Sequence, residues 1–130
     1  MSFKEKLINH FTEKYHENIR LQRVFEGITD RLYTLERELE NFTRYGLRVD
    51  LDVNGYSAKL SIENYILRVD LFHDDDPPFI QVVGGTKEFD RLIDKIYPSR
   101  HLLTSDICSA DDFERAFDSY LQNAFSGLVR

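Results

Sequence analysis

Two runs of strict two-residue alternation meet at an Asn-Gly pair, and this constrains the chain more than any other feature. Residues 47–53 read Leu-Arg-Val-Asp-Leu-Asp-Val, and residues 56–62 place Tyr56, Ala58, Leu60 and Ile62 on one face with Ser57, Lys59 and Ser61 on the other. Alternation of this kind belongs to a strand with one covered face. Asn54-Gly55 between the runs predicts a two-residue type I′ turn, because both residue types accept positive φ. That turn sets the register: Val53 faces Tyr56, Leu51 faces Ala58, Val49 faces Leu60, Leu47 faces Ile62, and Asp50 lies opposite Lys59.

Glu63-Asn64 reads as a second short turn and Tyr65 to about Phe72 as a third strand, adding Tyr65, Leu67, Val69 and Leu71 to the apolar face. Ile66 and Phe72 fall on the opposite face beside Lys59 and Arg68. They are expected either under a loop or terminus, or as a small contact patch. His73-Asp74-Asp75-Asp76-Pro77-Pro78 reads as a loop, and Phe79 to Val83 as a short strand ended by Gly84-Gly85.

Upstream, residues 3–45 contain no proline and one glycine, Gly27. Phe3, Leu7, Ile8, Phe11 and Tyr15 recur at helical steps, and so do Leu21, Phe25, Ile28, Leu32, Leu35, Leu39 and Phe42. The two stripes are out of phase, which predicts a break or bend near residues 16–18. Tyr45-Gly46 is the expected helix end. A helix over 19–45 would be about 40 Å long, longer than a small sheet. The second stripe is therefore expected either as internal core, under helix 3–15 and the C-terminal helices, or as an interaction surface. The surface would serve a protein partner or a homodimer through residues 19–45, with Arg31, Glu36 and Glu38 at its rim. Gly27 marks either a kink or a close helix crossing.

Downstream, Thr86 is a candidate N-cap for a helix carrying Phe89, Leu92, Ile93, Ile96 and Tyr97, stopped by Pro98. Ser109-x-x-Asp112 resembles a capping box before Phe113, Ala116, Phe117, Tyr120, Leu121, Ala124 and Phe125, with Gly127 closing the helix. The fold class is α+β, in a single domain over residues 1–130. It comprises an N-terminal helical region, a four-stranded antiparallel meander and two C-terminal helices packed on one face of the sheet.

Charge narrows the function. The net charge is −6: residues 1–46 balance eight basic against eight acidic groups, while 47–86 carry three against seven and 87–130 six against eight. No segment is basic, so nucleic acid is not an expected partner. No apolar run approaches the length of a membrane span and the first residues do not read as a secretion signal, so no membrane partner is expected either. Cys108 is the single cysteine, which rules out an intrachain disulfide and fits a reducing cytoplasm.

No catalytic, cofactor-binding or metal-binding residue is assigned. His73, Asp74, Asp75 and Asp76 are the best metal-like cluster, but adjacent residues splay apart and the calcium-loop pattern is absent. Gly84-Gly85-Thr86-Lys87 would be a phosphate cradle at a strand-to-helix junction, without the spacing of a nucleotide fingerprint. Cys108 as a nucleophile would need His101 or His73 as its base, and nothing in the sequence brings them together. The expectation is a small acidic protein-interaction domain without catalytic activity, of the inhibitor, immunity, antitoxin or adaptor kind. The alternative is a ligand- or metal-binding domain or enzyme using the 73–76 loop or the 84–87 turn.

Overall fold

A five-stranded antiparallel meander, ordered β1-β2-β3-β4-β5, organises the computed structural model, which describes residues 2–129. Two helices precede the sheet, α1 (Phe3–Lys14) and α2 (His16–Glu40). The strands are β1 (Val49–Val53), β2 (Ser57–Ile62), β3 (Tyr65–Phe72), β4 (Phe79–Thr86) and β5 (Asp90–Ile96), and helix α3 (Ala110–Phe125) follows them. No described helix is long and apolar enough to cross a membrane.

One sheet face is the core. Ala58, Leu60, Leu67, Val69, Ile80, Val82 and Ile96 from the strands meet Leu21, Ile28 and Leu32 of α2 and Phe117, Tyr120 and Ala124 of α3. Leu21, Ile28, Leu32, Leu60 and Leu67 are fully buried, each stabilising the fold by about 1.5–3 kcal/mol. Gly27 lies at a close crossing, where an added Cβ would come within 2.9 Å of the Phe113 ring.

The β1–β2 hairpin forms with its apolar set inward, but two residues out of the expected register. Val53 pairs with Ala58, Leu51 with Leu60 and Val49 with Ile62, while Lys59 lies opposite Asp52 rather than Asp50. The shift preserves the facing because strand side chains alternate with period two. Its cause is the Asn54 side chain, whose Oδ1 accepts from the Tyr56 and Ser57 amides at 2.8 and 2.9 Å. Asn54 thereby closes the turn against Ser57, and neither Asn54 nor Gly55 adopts positive φ. The Glu63-Asn64 turn keeps its expected register, with Ile62 opposite Tyr65 and Glu63 at φ 54°.

The main correction lies at residues 86–97. They form no helix; β4 runs on to Thr86 and β5 returns antiparallel beside it, so the sheet has five strands and one C-terminal helix. A register break at Val82/Val83 explains the misleading spacing. Val83 pairs with Leu92 and Val82 with Asp94, which leaves Ile93 as an extra residue. A bulge of this kind erases strict alternation, and an edge strand needs few apolar residues. Thr86 caps a turn instead, accepting from the Phe89 amide at 3.0 Å.

The other boundaries move less. The break falls at Tyr15, α2 ends at Glu40, and Gly46, at φ 101°, closes a 3-10 turn over Thr43–Tyr45. The Ser109–Asp112 capping box is present at α3. On the outer sheet face Ile66 is buried, while Phe72 stacks on Phe79 with ring centroids 4.8 Å apart.

Candidate functional site

A cleft of about 520 Å³ lies between α2 and the segment leading into α3. On α2 its wall is one helix face, since His16, Arg20, Arg23 and Arg31 are separated by steps of four, three and eight. This basic face adjoins the buried stripe, so packing of Leu21, Ile28 and Leu32 fixes where the arginines point. Leu103, Thr104, Asp106, Cys108, Ser109 and Phe113 form much of the opposite wall.

The three arginines are engaged to different degrees. Arg31 is committed: its Nε donates to Glu114 at 2.6 Å, its Nη1 to the Gly27 carbonyl at 3.0 Å, and its guanidinium lies 4.2 Å from the centre of the Phe113 ring. Arg20 donates to the Thr104 carbonyl at 3.0 Å, and its second nitrogen stands 3.5 Å from the well-exposed Asp106 carboxylate. Arg23 has no hydrogen-bond or ion-pair partner among the described residues.

A second polar constellation ties β5 to α3. Tyr120 donates its hydroxyl proton to Asp94 Oδ2 at 2.6 Å, and His101 Nε2 meets the same oxygen at 2.8 Å. His101 Nδ1 accepts the Leu103 amide at 3.0 Å, so the proton lies on Nε2 and is donated to Asp94. Burial acts to raise the Asp94 pKa, but the hydrogen bonds from His101 and Tyr120 outweigh it and hold the carboxyl below its usual range. Burial and the Asp94 carboxylate push the Tyr120 phenol well above its ordinary value. All three groups are satisfied by one another, which makes this a structural clamp. The helix-like spacing within 89–97 gave no sign of it, because Asp94 lies beside the bulge that disrupts the strand pattern.

The other residues singled out in the sequence lie apart. His73 pairs with Asp74 at 3.0 Å and packs on the Tyr56 ring, while Asp74, Asp75 and Asp76 are exposed. Among the described residues no group of three His, Cys, Asp or Glu side chains could hold a metal ion. The 84–87 stretch lies within β4 and its hairpin, so it has no helix N-terminus to cradle a phosphate. Cys108 lines the cleft, whereas His101 is held by Asp94 and Leu103 and His73 by Asp74. Burial, and then the Asp112 carboxylate, push the Cys108 thiol up, away from the reactive thiolate.

The interaction stripe is divided. Leu21, Phe25, Ile28 and Leu32 are buried in the core of the single chain, Leu35 and Leu39 pack partly against it, and Phe42 is exposed. The uncovered apolar row belongs instead to α1, which buries no residue at all. Phe3 (74% exposed), Leu7 (44%), Ile8 (54%), Phe11 (45%) and Tyr15 (47%) face outward, continued by Ile19 (36%) at the start of α2.

No protein-family model matches the chain, and no curated protein or solved structure shows a significant match to it.

Proposed function

We propose that this chain is a non-catalytic protein-interaction domain, of the inhibitor, immunity, antitoxin or adaptor kind, working in a reducing cytoplasm. Its docking element is α1 together with Ile19. The observation that carries this reading is the apolar row from Phe3 to Tyr15 on a helix with no buried residue. A 12-residue helix without tertiary packing is marginal in water. Its N-terminus is capped by Ser2, whose hydroxyl accepts the Glu5 amide at 3.2 Å, and its other end runs on into α2. Laying such a row into a partner's groove buries the exposed rings and stabilises the helix in the same step, the usual mode of helix-in-groove recognition.

The partner is another protein or a second copy of the chain, and two measurements separate them. Sedimentation from about 1 to 100 μM detects self-association, which Leu7→Ser with Phe11→Ser abolishes if α1 is the contact. If the wild type stays monomeric, affinity capture from native lysate compares it with the same double variant. Proteins retained by the wild type and lost by the variant support the reading. A monomer whose captured set is unchanged by the double variant refutes docking through α1.

A further inference from the structure

We propose that the cleft between α2 and residues 103–113 binds a small organic phosphate, with the phosphoryl group on Arg20 and Arg23 and the apolar part on Ile19, Val24, Leu103 and Phe113. Charge is the first argument. With Arg31 neutralised by Glu114, the lining keeps Arg20 and Arg23 against Asp106, a formal +1, within a chain of net charge −6. A cationic cleft in an anionic protein is a local potential that selects the sign of what enters it.

The second argument is which of those charges is free. Glu114, the Gly27 carbonyl and the Phe113 ring already occupy Arg31. Arg20 is aimed by the Thr104 carbonyl at 3.0 Å, and its only ionic neighbour, Asp106, is 90% exposed and therefore weakly coupled to it. Arg23, three residues on, has no partner among the described residues. Residues at i and i+3 on a helix have Cβ atoms about 5–6 Å apart, close enough for two guanidinium groups to share one tetrahedral oxyanion. Such charge-assisted, multidentate contacts are the strong form of phosphate recognition.

The third argument is shape. At about 520 Å³ the cleft is far larger than a bare phosphate and falls within the range of small-ligand sites. Val24 and Leu103 are buried, and the Phe113 ring supplies an apolar wall. A phosphate ester with an apolar or aromatic body fills both parts, whereas inorganic phosphate fills one.

The test is a heteronuclear NMR titration of the full chain with phenyl phosphate, inorganic phosphate and phenol at low ionic strength. Saturable binding of phenyl phosphate is expected, tighter than that of either fragment, with shifts on α2 and residues 103–113. Arg23→Gln, at an exposed position without a partner, keeps the fold and should weaken binding about tenfold or more. Arg37→Gln, exposed farther along the same helix, should leave it unchanged. The proposal is overturned if phenyl phosphate fails to saturate by about 10 mM, if phenol binds equally well, or if Arg23→Gln and Arg37→Gln weaken binding alike.

Discussion

Helices α1 and α2 carry the same kind of apolar stripe and meet opposite fates. Phe3, Leu7, Phe11 and Tyr15 repeat as regularly as Leu21, Phe25, Ile28 and Leu32, yet the first set lies open to solvent and the second is sealed in the core. The difference does not lie in the helices. The sheet offers one apolar face of limited extent, and α2 and α3 fill it. Helical periodicity reports that a face is able to be buried. What buries it is set by the area of the partner surface, here exhausted before α1 is reached.

The sharpest way to break this comparison is to put a carboxylate into each stripe. Leu32 is fully buried, so Leu32→Glu places an unpaired charge in the core and should cost more than about 4 kcal/mol. The variant should be unfolded or molten by near-ultraviolet circular dichroism. Leu7→Glu, the matching change in α1, should leave the unfolding midpoint in urea nearly where it was. Equal loss from both substitutions would show that α1 is packed in solution.

A smaller effect is expected where α3 approaches the sheet. A Cβ on Gly84 would come within 2.8 Å of the Ala124 Cβ and 2.7 Å of the Ile93 side chain. Gly84→Ala should therefore push α3 outward and cost about 1–3 kcal/mol, read as a lower denaturant midpoint with little change in slope. If the midpoint rises instead, α3 does not sit as closely as α2, and the two do not form one tight cover.

The parts of this fold that were legible in the sequence are those where local chemistry and tertiary packing agree. The strands of the 47–62 hairpin alternate cleanly because one side of each is covered, and Ser109 and Asp112 make their capping box within four residues. Strand β5 was not legible, because the register break opposite Val82/Val83 replaces alternation with helix-like spacing. The arginine cleft was missed in the sequence. His16, Arg20, Arg23 and Arg31 share a face by spacing alone, but the opposing wall comes from residues some eighty positions away. The Asp94–His101–Tyr120 clamp depends entirely on the strand assignment.

That clamp is a second measure of how tightly α3 is held. Asp94→Asn removes the charge that both Tyr120 and His101 address, and should cost about 1–2 kcal/mol at neutral pH. The Asp94 pKa is lowered in the fold. Its stabilisation is therefore complete above the unfolded value, near 4, and is lost as pH falls through the lower folded value. The variant should lose less stability than the wild type over that acid window. Glu63 and Asp112 are also held low, the first by the Arg48 side chain and the second by the Ser109 backbone amide, and their share of the acid slope should remain. Identical pH profiles for variant and wild type would remove the clamp from the account.

The smallest expected effect on stability bears most directly on function. Leu7→Ser with Phe11→Ser removes two side chains from α1, at positions 44% and 45% exposed, on a helix that buries nothing. Exposed substitutions away from caps and ion pairs typically move stability by no more than about 0.5 kcal/mol, so the thermal midpoint of the isolated protein should hardly change. The loss of hydrophobic contact should appear only when a partner is present, since only then does the row have anything to lose. A fall of several degrees in the isolated monomer would mean that α1 folds back on the body. The contrast between the two stripes would then vanish, and with it the case for α1 as the docking element.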